Sequence, residues 1–206
     1  MKPAPLWIVG AGGHAKVCVA TARKAGYEVL GLLDPRPDLQ GATVLGAPVH
    51  DDDDVLSGDA NLVVAVGDNR ARARLAASYE GHGFATLVHP RAEMAEGSSV
   101  GQGSVVFAGA VVQPGATVGR HAIINTGAIV EHDCKLADLV QVASGATLAG
   151  AVTAGEGAFV GAGATVLPGV RLGSWCVVGA GAVVVDDVPD GMTVVGVPAR
   201  ALRRDG

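Results

Sequence analysis

The sequence predicts two units of different class: a small α/β unit over residues 1–87 and an all-β parallel β-helix over residues 88–189. Residues 190–206 form a C-terminal exit segment. Three observations carry this. Strand-like and helix-like segments alternate up to about residue 87, and from residue 88 an apolar residue returns at every sixth position without a slip. The chain is 49% hydrophobic but only 3% aromatic, so its core is built from Val, Ile, Leu and Ala.

In the first unit, LWIVG (6–10) is a short apolar strand ending in glycine. His14 to Ala25 has helical spacing, with Val17, Ala20 and Thr21 on one side. EVLGLLD (28–34) is a second strand ending at an acid, and a short strand is expected around Thr43–Val49. LVVAVG (62–67) is a third buried-type strand, and Arg70–Glu80 reads as a helix with its arginines facing solvent. The acidic run 51–54 reads as a solvated loop or helix start. This alternation predicts a parallel sheet with crossover helices, a small Rossmann-like unit.

Cut into sixes from Val88, the chain has seventeen first places, and only Ala154 among them is not Val, Ile, Leu or Met. The fifth places are Ala, Ser, Cys or Val throughout. Helices and hairpins do not repeat every six residues; a parallel β-helix does, with one flat face and one corner per six. First places point inward, and small fifth places let the chain turn close to the axis. Three faces per coil give roughly five to six coils, stacked at about 4.8 Å. VPDGMTVVGVPAR (188–200) leaves the repeat, and a short polar end follows.

Composition excludes several classes. A net charge of −5 argues against nucleic acid as a partner. No apolar run approaches the roughly 20 residues that span a bilayer, and MKPAPLWIVG reads as a first strand rather than a signal peptide. Three widely spaced cysteines suit a reducing cytoplasm.

The chemistry concentrates in NTGAIVEHDC (125–134). With Val130 inward, His132 and Asp133 take the third and fourth places, at a corner facing out. A carboxylate beside an imidazole fixes its tautomer, as general-base catalysis requires. Gly150, eighteen residues on, lies one coil above His132 and is expected to leave room for a ligand. Cys134 and Cys176 hold inward fifth places and are structural. GAGGHA (10–15) follows a strand and opens a helix, where backbone N–H groups and the helix dipole suit a phosphate. Asp34 ends the second strand, where dinucleotide folds keep a ribose-binding acid. A nicotinamide enzyme is disfavoured, because the β-helix that follows at once leaves no place for a hydride-acceptor domain.

Across essentially its whole length the chain resembles the PglD/NeuD/PerB-type sugar acetyltransferases of the hexapeptide-repeat superfamily. The resemblance rests on NTGAIVEHDC, on GGHAK (12–16), on GDN (67–69), on the six-residue repeat and on the VVGVPAR exit. It implies a left-handed β-helix, acetyl-CoA as co-substrate without a metal, and an amino-sugar nucleotide as acceptor. It further implies a homotrimer with active sites between subunits. It makes His132 the general base, Asp133 the group that increases its basicity, and Asn125 a neighbour of the reacting groups. Gly12, Gly13 and His14 would meet the diphosphate and sugar, Asp34 and Pro35 the base, and Gly67 would close the pocket. Gln141, Gly150, Ala162 and Ala180 would line the acetyl-CoA groove. Gln141 departs from the family, which often has a second histidine there; Gln still bonds a carbonyl but carries no charge. The alternatives are a sugar O-acetyltransferase of the sialic-acid type and a non-catalytic nucleotide-binding trimer. A metal-dependent hydratase ranks last, because His89, His121 and His132 share no corner.

Overall fold

The computed structural model describes residues 4–51, 53–56 and 60–202. Asp52 of the acidic run, residues 1–3 and the polar end 203–206 lie outside the described residues.

The first unit is a five-stranded sheet. Its strands are β1 (Ala4–Val9), β2 (Tyr27–Leu33), β3 (Thr43–Val44), β4 (Ala47–His50) and β5 (Asn61–Val64), in the order β3-β4-β2-β1-β5. β1 pairs in parallel with both β2 and β5, so the chain runs outward on one side and then crosses to the other. The crevice at the carboxyl ends of β1 and β5 is therefore a topological switch point, where open α/β sheets bind ligands. Two helices, α1 (Gly13–Lys24) and α2 (Asn69–Ser78), complete the unit.

Three expectations need correction here. The strand around Thr43–Val49 is a hairpin: Leu45 and Gly46 both take positive φ and turn β3 antiparallel onto β4. The buried face of α1 is Ala15, Cys18, Val19 and Ala22, at i, i+3, i+4 and i+7; of the expected side Thr21 is buried, whereas Val17 and Ala20 are exposed. Most consequential, Arg72 of α2 is not on a solvent face but 1% exposed.

From Leu87–Val88 to Val183–Val184 a two-residue strand occurs every six residues, seventeen in all, and each of the first fourteen is joined in parallel to the strand eighteen residues on. Three sheets make a left-handed prism of five complete coils and two strands of a sixth. They hold eight, six and five strands; the eight-stranded one also takes Thr193–Val195 and the antiparallel Arg200–Ala201. First and fifth places fill the interior as predicted, with Val112, Ala116, Val130, Cys134 and Leu148 almost wholly enclosed.

The fourth place sets the backbone of each corner. Every fourth place from Gly97 to Gly181 has φ between 52° and 74°, the left-handed region. Ten of these fifteen are glycine, which alone takes that conformation without steric cost; the others are His121, Asp133, Leu139, Ala151 and Trp175.

The α/β unit packs on the outer face of the eight-stranded sheet. Leu6, Ile8, Ala15, Leu32 and Val63 form one apolar cluster with Val105, Phe107 and Ile123. One face of the prism is thus covered, and the vertex opposite that face, between the six- and five-stranded sheets, is left outside.

Candidate active site

That outer vertex carries His132. The strand Ile129–Val130 ends in the six-stranded sheet, Lys135–Leu136 begins the five-stranded one, and residues 131–134 turn between them. The corner is held by the Asp133 N–H donating to Pro114 O (3.1 Å) and the Ala151 N–H donating to His132 O (2.9 Å), bonds to the coils on either side. Asp133 takes φ 60°, a conformation Asp tolerates better than most residues. Its Oδ2 lies 2.9 Å from His132 Nδ1. Both side chains stand in solvent, 62% and 71% exposed.

The pair sits between two glycines of neighbouring coils. A Cβ on Gly150 would come within 2.5 Å of His132 Nε2, and one on Gly115 within 2.8 Å of Asp133 Oδ1. Gly150 therefore makes room for the imidazole itself. With Nδ1 bound to the carboxylate, that nitrogen carries the proton and Nε2 holds a free lone pair. The partner of the imidazole is Asp133; Glu131, on its other side, spends its N–H on Leu148 O.

Cys134 and Cys176 are free and fully enclosed, and burial raises both thiols, Cys176 to about 11. Neither is a nucleophile at neutral pH. His89, His121 and His132 stand apart: His89 follows a strand of the eight-stranded sheet, and the two others occupy different corners. Among the described residues no three His, Cys, Asp or Glu converge.

The second station is the switch-point crevice. One cavity of about 390 Å³ is lined by Gly12, Gly13, His14, Asp34, Arg36 and Gly67. It adjoins one of about 520 Å³, where Asp34 continues into Pro35, Asp51, Asp53, Leu75 and Tyr79. Gly12 caps α1 without a side-chain bond, so the first N–H groups of that helix are free for an anion. Both oxygens of Asp34 are engaged: Oδ2 accepts from the Ala11 N–H and from Arg36 NH2, and Oδ1 from Arg36 Nε, each at 2.9 Å. The Arg36 guanidinium holds this carboxyl below its usual range. His14 meets Phe107 of the prism edge-on (5.4 Å between centroids), and burial, with Arg72 nearby, lowers it to about 4. It is a neutral imidazole at physiological pH. The Tyr79 hydroxyl donates to Asp53 Oδ1 (2.6 Å), and burial with that bond pushes it well above its usual range.

Against this geometry stand the comparisons. Residues 5–79 match the model of the PglD N-terminal domain, and residues 155–186 that of the bacterial transferase hexapeptide (six repeats). No curated protein sequence matches. The structure is similar to the acetyltransferase domain of PglB from Neisseria gonorrhoeae FA1090 in complex with acetyl coenzyme A. The identity is 40% and the TM-score 0.91, over 97% of this chain and 100% of that one. It is equally similar to PerB from Caulobacter crescentus in complex with CoA and GDP-perosamine: 40% identity, TM-score 0.89, over 97% of this chain and 98% of that one. WeeI from Acinetobacter baumannii AYE follows at 26% identity and TM-score 0.88, over 97% and 100%.

The chain belongs to the PglB/PerB family of hexapeptide-repeat sugar acetyltransferases. The fold is the one this family predicts, a small α/β unit on a left-handed β-helix. Within one chain, however, the residues that the family resemblance singles out are dispersed. Asn125 follows a strand of the eight-stranded sheet, one coil above Phe107, at a different corner from His132. Gln141 lies in that same sheet between Ile123 and Phe159, buried, its Oε1 without a partner. Ala162 and Ala180 do stack on one exposed corner, between the eight- and six-stranded sheets, with open space outside the adjacent Gly163 and Gly181.

Two residues were missed. Arg72 donates to His121 O (2.8 Å), Leu139 O (2.9 Å), Val66 O (3.0 Å) and Asn69 Oδ1 (2.8 Å). Asn69 in turn donates to Gly157 O (3.0 Å). These bonds tie α2 to one corner over three successive coils. One arginine among the three of α2 offers no sequence signal for this, because the carbonyls it satisfies lie 49 and 67 residues away.

Proposed function

We propose that the protein is an acetyl-CoA-dependent N-acetyltransferase of a nucleotide-linked amino sugar, such as GDP-perosamine or a UDP-4-amino-4,6-dideoxy sugar. Residues 1–87 hold the nucleotide sugar and residues 88–189 carry out the transfer. The observation that carries this reading is the His132–Asp133 pair: an exposed imidazole with Nδ1 bonded to a carboxylate and Nε2 free.

The amine nitrogen adds to the thioester carbonyl as Nε2 of His132 takes its proton. Asp133 keeps Nδ1 protonated and stabilises the imidazolium that forms. A backbone N–H would hold the developing oxyanion. The intermediate collapses, the C–S bond breaks, and the imidazolium returns the proton to the leaving CoA thiolate. No residue carries the acetyl group. Small side chains at Ala162 and Ala180 and the open space beside them suit an elongated co-substrate lying along the corner.

The working form in this reading is a homotrimer. His132 stands on the vertex opposite the face that bears the crevice, so it serves a sugar held by a neighbouring chain. Asn125 and Gln141, on the crevice side, then belong to a different subunit's share of the same site. The test mixes two inactive variants, His132→Ala and one with Gly12→Trp blocking the crevice. Recovery of thiol release on mixing supports a shared site, and its absence in a verified mixed trimer rejects it. The product must also be a base-stable amide; an ester would make the acceptor a hydroxyl.

A further inference from the structure

We infer that the larger cavity selects guanine as the nucleotide base and that Asp53, braced by Tyr79, is the residue that reads it. This rests on the crevice being the nucleotide-sugar pocket. The two adjoining cavities have opposite polarity. The smaller offers the free N–H groups at the start of α1 and the Arg36 guanidinium, which suit a diphosphate. The larger has apolar walls from Val9, Val66 and Leu75, which suit the faces of a ring. Its polar groups are almost all acceptors: Asp51 and Asp53, with the Tyr79 hydroxyl donating to Asp53.

A carboxylate accepts and never donates. Guanine presents two adjacent donors on one edge, N1–H and the 2-amino group, and a carboxylate takes both at once. Uracil and thymine present a single N–H flanked by two carbonyl oxygens, which a carboxylate repels. Adenine sets an acceptor beside its amino group. Of the common bases, guanine alone matches this wall with two bonds. Asp53 is favoured over Asp51 because the Tyr79 O–H holds its Oδ1 at 2.6 Å from a residue of the same cavity, leaving the second oxygen and a further lone pair for the ligand. Asp51 is engaged by the Gln40 amide outside (2.8 Å).

The test is calorimetric titration of the full chain with GDP, UDP and ADP. GDP is expected to bind at least about tenfold more tightly than UDP or ADP, the worth of hydrogen bonds to a charged group. Asp53→Asn should remove that advantage, weakening GDP about tenfold while changing UDP by less than about twofold. Tyr79→Phe should weaken GDP by a smaller factor and leave UDP alone. Equal affinities for GDP and UDP, or a preference for UDP, overturn the base assignment while the pocket stands. Discrimination lost in Asp51→Asn but kept in Asp53→Asn overturns the choice of residue. Failure of all three nucleotides to bind overturns both the assignment and the pocket.

Discussion

Two corners of the same prism obey the same local rule and meet different fates. At one, Asp133 takes the left-handed fourth place and stands in solvent beside His132. At the other, His121, Leu139, Gly157 and Trp175 take the same place in successive coils and lie beneath or beside α2. Arg72 and Asn69 satisfy the carbonyls of three of them, and the Arg70 guanidinium lies over the Trp175 ring at 4.6 Å. The repeat makes corners that are equivalent as backbone. What distinguishes them is which side chain the fourth place carries and whether the α/β unit covers it. A corner that is covered becomes an anchor, and a corner left bare is free for chemistry.

The sharpest way to break this contrast is to remove one key side chain from each corner. His132→Ala should lower turnover on the best amino-sugar nucleotide by about 10²–10⁴-fold with little change in melting temperature. Near-full activity would end the base assignment. Arg72→Met should do the reverse and cost about 3 kcal/mol or more, because several buried carbonyls lose their donor. Urea unfolding reads this, and a midpoint within error of wild type would show that the anchor contributes nothing.

Acid should act on the covered side. His14 has a native pKa of about 4 against an ordinary 6.5, set by burial and by Arg72, and burial lowers His121 in the same direction. The unfolded chain therefore binds protons that the native chain refuses as pH falls below 6.5. Stability is complete above that value and declines towards pH 4. Melting temperatures between pH 7.5 and 4.5 should show this slope, and His14→Gln should flatten it. An unchanged slope in that variant would move the effect to other groups.

The bare corner can be probed more gently. Gly150→Ala pushes a Cβ into the imidazole, so turnover should fall about tenfold through loss of geometry, with the fold retained. Asp133→Gly relieves the positive φ but removes the Nδ1 partner. It should gain up to about 1 kcal/mol of stability while losing activity, a stability change opposite in sign to the loss of function.

Much of this was legible in advance. A period of six over seventeen repeats leaves little freedom, because each inward place is decided by one apolar residue and each turn by one small one. His132 and Asp133 were legible because they interrupt that pattern at outward places, and Cys134 because it does not. The burial of Arg72 and Asn69 was not legible. Their partners are backbone carbonyls from coils far along the chain, and carbonyls leave no trace in residue type. The side of α1 picked out by Val17, Ala20 and Thr21 is covered only at Thr21 for a related reason: Val17 is as apolar as Val19, and only docking on the prism decides which of them is covered.

By itself the sequence determined the coil, its register, the outward corner carrying an imidazole beside a carboxylate, and a glycine turn placed after a strand. These are short-range matters, set within six residues or between neighbouring coils. The tertiary structure alone decided that the α/β unit covers the eight-stranded sheet, and that the crevice and His132 lie on opposite sides of one chain. It also placed Gly150 directly against the His132 ring. The physical reason is that a periodic sequence makes three nearly equivalent faces and three nearly equivalent corners. Only the packing of a non-periodic unit against one of them breaks that equivalence.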